Sequence, residues 1–325
     1  MFPTYHPNFD LMDELSLKKV PFFFMVDFLL EKVEVFQENE IEEESLLIDF
    51  QNFKNMKTTE AENAEIELKI LSESAEIYRK GFDFVQENLR QGNSYLTNYT
   101  MKSEIAINLT LKEIFYHSKA KYKVWYNDEF VFFSPETFVE IIDGQIYTHP
   151  MKGTIEASIE NAVEILKNDV KEKAEHFTVV DLLRNDLSMV ADDVQVDEFQ
   201  RIDFIKTQQK DLYAMSSKIS GKLKPEFQNK IGTVMKTLLP AGSILGAPKP
   251  KTLEIIAEAE NYDRGFYTGV CGWFDGENLD SCVMIRFIEK ENGKLFFKSG
   301  GGITHLSKFA DEYQEMKNKI YVPIH

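Results

Sequence analysis

The sequence predicts an α+β fold, and three observations lead there. Strand-like runs follow one another in antiparallel fashion, separated by tight-turn pairs at Asn127-Asp128, Asp143-Gly144 and Asp275-Gly276. Helical spacing comes in inserted blocks rather than alternating with each strand, which argues against a parallel α/β sheet. Apolar residues make up 43% of 325 residues, with 26 phenylalanines, enough to fill a sizeable interior.

Taken in order, residues 22–36 read as one or two strands, 39–45 as an acidic loop and 46–50 as a short strand. Residues 60–89 have helical spacing through Ile66, Ile70, Ile77, Phe84 and Val85, and Gln91-Gly92-Asn93 ends that helix. Residues 94–109 read as a strand and 111–117 as a short helix. A meander follows over 123–126, 129–134, 138–142 and 145–148. Residues 158–190 are helical with a break near Asn168-Asp169, and 194–204 and 211–219 are strands. Residues 225–238 form a helix, 240–251 a Gly/Pro loop and 252–259 a helix. Residues 266–274 and 281–288 pair across Asp275-Gly276, 294–298 is a strand running into Gly300-Gly301-Gly302, and 308–320 is the last helix.

The formal net charge of -17 argues against a nucleic-acid or acidic-membrane surface, which needs a basic stripe. Cys271 and Cys282 have no metal-type spacing, and residues 1–6 lack a basic leader region. The longest apolar run, residues 21–30, is broken by Asp27 and is too short for a bilayer. The expectation is a cytoplasmic protein with free thiols and no membrane contact.

The chemistry centres on His149-Pro150-Met151-Lys152-Gly153-Thr154. A lysine is a poor nucleophile while protonated, and a place between a proline and a glycine at a strand end can turn its amine inward, away from water. Ser134-Pro135-Glu136 lies across the Asp143-Gly144 hairpin, so Glu136 and Lys152 can meet as acid and nucleophile. Glu172 and Glu175 lie on one helix, and Glu312, Glu315 and Lys319 form a stripe on another. Such a stripe serves equally as a solvated face with an i,i+4 ion pair or as an oxygen-only donor set for a hard cation. The glycines at 300–302 and the stretch Gly242 to Lys249 let backbone N–H groups approach an anion, though neither matches a nucleotide-binding pattern. Arg286, within an apolar run, needs a carboxylate partner. His149 and His176 read as structural.

Together these stretches resemble the chorismate-utilising enzymes. Besides those above, the matching pieces include Ala174-Glu175-His176 through Asp186, and Arg264-Gly265-Phe266-Tyr267-Thr268-Gly269. They also include Glu312-Tyr313-Gln314-Glu315 through Lys319, and all stand in family order from about residue 90 onward. The resemblance implies an anthranilate synthase component I-like fold: one large domain of two packed antiparallel sheets flanked by helices. Residues 1–90 would supply shortened N-terminal strands and a helix, and residues 91–325 the chorismate-binding catalytic region.

Within the family, lysine in the Pro-x-Lys-Gly-Thr motif is characteristic of aminodeoxychorismate synthase component I, where anthranilate synthases carry alanine. The implied reaction aminates chorismate at C4 through a Lys152 adduct, with Glu136 as general acid, on the route to 4-aminobenzoate and folate. Mg²⁺ would sit on Glu175 and Glu315, with Glu172 and Glu312 nearby. Thr154, Ser243, Gly246, Tyr267, Gly269, Arg286, Gly301, Gly302 and Lys319 would bind substrate. A glutamine amidotransferase subunit would supply ammonia. Anthranilate synthase component I is the alternative, and it would place ammonia at C2, where Lys152 is expected. A non-catalytic chorismate-binding protein would have no need of Glu136, Lys152 and both glutamate helices. Leu96, Thr137 and Leu245 depart from the family pattern, and the tryptophan-binding segment of the family is not found.

Overall fold

A computed structural model describes residues 6–56, 66–72, 74–205 and 211–323. Among these, one sheet has nine strands and the other eight, and all the strand pairs are antiparallel. The sheets face one another across an aromatic layer. Phe23, Met25 and Trp273 from the first meet Phe130, Phe132 and Phe287 from the second. The outer face of the first sheet is covered by helices Asn8–Leu17, Val170–Val190 and Ile231–Leu238. The outer face of the second is covered by Ala75–Arg90, Leu111–His117, Lys249–Ala259 and Phe309–Asn318. Burying both faces of each sheet satisfies the strands that read as continuous apolar runs. No described helix is long and apolar enough to cross a membrane.

Several expectations are corrected by tertiary pairing. The helix expected over 60–89 begins only at Ala75, with Ser74 capping Ile77 N, and residues 57–65 lie outside the described set. Leu68–Ser72 is instead an edge strand on Leu96–Ile107. Ile66 and Ile70 share helical spacing by coincidence, and β-branched Ile70 pairs with Ile105. The strand expected over 281–288 is two strands, Leu279–Val283 in the first sheet and Phe287–Glu291 in the second. Arg286 stands at the crossing with φ 54. The glycines expected to follow a strand belong to it, since Lys294–Ile303 runs through all three. The expected loop 240–251 contains a helical turn, Gly242–Leu245, and a short pairing at Gly246–Ala247. Helix 225–238 divides into Pro225–Phe227 and Ile231–Leu238. The helix Asn8–Leu17 has no counterpart in the sequence reading.

The break at Asn168-Asp169 is real: Asp169 caps the second helix by accepting from Glu172 N. Cys271 and Cys282 are direct cross-strand partners, fully buried, and stand as free thiols with sulfurs 3.4 Å apart.

Candidate active site

The lysine motif is itself a strand, Met151–Glu156, on the edge of the first sheet. Met151 pairs with Ser216 and Thr154 with Ala214, so three steps on one strand match two on the other. The extra residue makes a β-bulge at Lys152-Gly153, with Gly153 at φ 81. A bulge re-aims a side chain, and here it sends Lys152 into a cavity of about 80 Å³.

That cavity lies where the two sheets meet. Lys152 and Glu136 come from the first sheet and its loops, Gly301 and Gly302 from the second, and Ser243, Tyr267, Arg286 and Lys319 from the connections and the last helix. Of the other residues expected to bind substrate, Thr154 is exposed on its strand and outside the lining. Gly246 and Gly269 pack against the backbone of Leu96 and Val26, also outside it. Asn98, Thr268, Lys298 and Ser299 line the cavity but were not singled out from the sequence. Of these, Lys298 comes directly after the apolar run Leu295-Phe296-Phe297 and before the glycines, which is the sequence signal that could have found it, and the structure buries it.

The walls are rich in positive charge. Lys319 donates to Gly300 O at 2.8 Å and pairs with Glu315 at 2.7 Å. Burial holds its ammonium below the usual lysine range against the pull of Glu315, and the charges of Arg286 and Lys152 push the same way as burial. Lys298 pairs with Glu289 at 2.6 Å and donates to the carbonyl of Arg264 at 2.8 Å. Burial also raises the Tyr267 phenol, so it stays a protonated donor. Ser243 donates to Glu136 Oε1 at 3.0 Å, which fixes the direction of that carboxyl.

Three buried polar atoms on the lining have no protein partner: Asn98 Oδ1, Ser299 Oγ and Arg286 Nε. Two lining residues are held at positive φ, Thr268 at 62° and Arg286 at 54°. A β-branched residue rarely adopts that conformation, and such strain persists where the surroundings enforce it. Arg264 does so at Thr268, donating to its hydroxyl at 3.2 Å while also holding the carbonyls of Ile244 and Asn98.

The glutamates approach the cavity from two helices. A methyl group added at Gly301 would stand 3.4 Å from Glu315 Oε1 and 3.9 Å from Glu312 Oε2. One added at Gly153 would stand 2.9 Å from Glu172 Oε2. Glu175 is one turn further along the same helix. Among the described residues no group of three or more acidic, histidine or cysteine side chains gathers tightly enough to hold a metal alone. The donors nevertheless fit Mg²⁺, which binds one or two carboxylates and fills its shell with water and substrate oxygens. His176, fully buried, is tied by Nε2 to Ser217 Oγ at 2.7 Å, and His149 to Glu140 at 2.9 Å. Neither lines the cavity.

An amine and a carboxyl group face one cationic, partly unsatisfied cavity, an arrangement that can receive a small anionic group. Comparison with known proteins agrees. The chorismate binding enzyme family matches residues 13–325, and the chain belongs to that family. An uncharacterised PabA-like protein of Pasteurella multocida is 46% identical over 322 residues, covering 99% of each chain. Another, of Haemophilus influenzae, is 47% identical over 307 residues, 94% of this chain and 93% of its own. A Bacillus anthracis protein assigned as a 2,3-dihydroxybenzoate-specific isochorismate synthase shares the fold, with a TM-score of 0.71 at 19% identity over 96% of this chain and 87% of its own.

Proposed function

We propose that this chain is component I of an aminodeoxychorismate synthase. It converts chorismate and ammonia to 4-amino-4-deoxychorismate, with ammonia supplied by a glutamine amidotransferase subunit, toward 4-aminobenzoate and folate. The observation that carries the reading is the meeting of Lys152 and Glu136 on one cationic cavity.

In the first step the neutral amine of Lys152 bonds to ring C2, the double bonds shift, and the C4–O bond breaks. Glu136, aimed by Ser243, gives its proton to the departing hydroxyl, which leaves as water. In the second step ammonia bonds to C4, the bond from C2 to the lysine nitrogen breaks, and the Lys152 amine is restored. The surplus proton on the new nitrogen returns to the Glu136 carboxylate. Arg286, Lys319, Tyr267 and the backbone at Gly301 and Gly302 hold the substrate's carboxylate oxygens. Glu172, Glu175, Glu312 and Glu315 would hold Mg²⁺, which when bound neutralises a second carboxylate.

The test is product analysis after incubation with chorismate, Mg²⁺ and ammonium. Liquid chromatography with mass spectrometry should detect 4-amino-4-deoxychorismate. Anthranilate with pyruvate as the main product would assign the chain to 2-amination instead.

A further inference from the structure

Arg286 stands where the chain crosses from the first sheet to the second, and its carbonyl accepts from Phe133 N at 3.2 Å. Its side chain has no comparable tie. Lys319 and Lys298, on the same cavity, are each matched by a glutamate, at 2.7 and 2.6 Å. No carboxylate among the described residues pairs with Arg286, and its Nε has no hydrogen-bond partner. What does meet the guanidinium is a ring. Arg286 Cζ stands over Tyr321, 5.4 Å from the ring centroid. At that separation the negative face of an aromatic ring attracts a cation.

The chain after the last helix fixes where this ring sits. Lys319 N–H donates to Glu315 O and Met316 O, which closes the helix Phe309–Asn318. Ile320 and Val322 are both buried in the core between the second sheet and its helices. Pro323 O accepts from Lys119 N at 2.7 Å. Tyr321 is held between these anchors, yet its ring is 44% exposed, and among the described residues its hydroxyl makes no hydrogen bond. Tyr321 does not line the cavity itself. Arg286 connects the two.

The type of contact matters. A guanidinium carries all its N–H donors in its own plane. A carboxylate from the protein would take one or two of them. A ring face complements the charge without offering a lone pair to bind them. We infer that Tyr321 is a positioning residue for the substrate: its ring steadies the Arg286 guanidinium and leaves the donors free to grip a carboxylate of chorismate. This rests on the reading that Arg286 receives such a carboxylate. The carboxylate does not change during the reaction, so the contact strengthens the ground state and the transition state alike. Its loss therefore raises KM and leaves kcat in place.

Two substitutions separate the ring from its hydroxyl. Tyr321→Leu keeps apolar bulk without the ring, and Tyr321→Phe removes only the hydroxyl. The exposed position lets both fold. The loss of chorismate is followed with Mg²⁺ and saturating ammonium, whatever the product. Tyr321→Leu should raise the KM for chorismate at least about fivefold, or about 1 kcal/mol, and keep kcat within about twofold of wild type. Tyr321→Phe should match wild type in both. In an Arg286→Gln background the leucine substitution should add less than about twofold, because the group it orients is gone. A wild-type KM in Tyr321→Leu overturns the inference. So does a phenylalanine variant as weak as the leucine one, which would give the contact to the hydroxyl. A rise of the same size that persists without Arg286 overturns it too, since Tyr321 would then serve packing alone. Wild type that consumes no chorismate would overturn the underlying reading as well, a result visible without any variant.

Discussion

Two buried polar patches neighbour each other on the strand Leu96–Ile107, and they are completed differently. At Thr100 every group is matched. Its N–H and hydroxyl both donate to Glu260 Oε1 at 2.8 Å, and Arg264 grips the same carboxylate at 2.6 and 2.8 Å. Two residues earlier, the carbonyl of Asn98 is taken by Arg264 at 2.7 Å, but its side-chain oxygen has no protein partner. Ser299 and Arg286 leave polar atoms unmatched beside it. Each unmatched buried group costs about 1–3 kcal/mol. On a cavity wall that cost is relieved by whatever fills the cavity, water or ligand. The first patch is scaffold and the second lines the candidate site, and one strand serves both.

The sharpest break in that contrast is Lys152→Ala. Amination should fall by at least about a thousandfold, or about 4 kcal/mol, while the urea midpoint stays at the wild-type value. Equal rates of 4-amino-4-deoxychorismate formation in the two proteins would reduce Lys152 to a strand residue.

Next comes Glu260→Gln, on the scaffold side. Removing one partner of a buried ion pair should cost about 3–5 kcal/mol of stability, read by urea denaturation. A variant as stable as wild type would mean that the Arg264 network does not support the fold.

The smallest effect lies at His176, which has one nitrogen matched by Ser217 and the other without a partner. Burial, with a smaller push from the Lys152 charge, lowers its pKa from 6.5 to about 4. Between those values the unfolded chain binds more protons than the folded one, so stability rises with pH across that window. The contribution is fully present above about pH 6.5 and is lost as pH falls toward 4, on the order of 3 kcal/mol in all. Comparing urea midpoints at pH 7 and pH 5 for wild type and His176→Asn checks this. The same pH loss in both proteins would clear His176 of the effect.

What could be read from the sequence follows the same division. The helix break at Asp169 was legible because capping is local, whereas Glu136 and Lys152 were picked out by the family motifs that carry them and not by their local chemistry. The Asp143-Gly144 hairpin was legible because turn chemistry is local too, with both residues at positive φ. The crossing at Arg286 was not, because the apolar pattern runs unbroken from one sheet into the next. Asn98 and Ser299 were missed because they look like ordinary alternating strand residues. Only the long-range pairing of their two strands makes them neighbours in the site. Ile70 misled because spacing alone cannot tell a helix from an edge strand whose partner lies far along the chain.

The bulge at Lys152-Gly153 also bears on how this chain can change by the loss or gain of a codon. Successive strand residues point to opposite faces, and one extra residue sets which face receives the amine. Deleting Met151 would keep Lys152, Glu136, Arg286 and every glutamate in the gene. It would also slide the lysine by one position and turn it to the other side of the sheet. Such a protein would pass inspection as an intact reading frame with every candidate site residue, and on the proposed function it would be as inactive as one lacking the lysine. Spacing in this segment is therefore as much a part of the active site as the residues that face it.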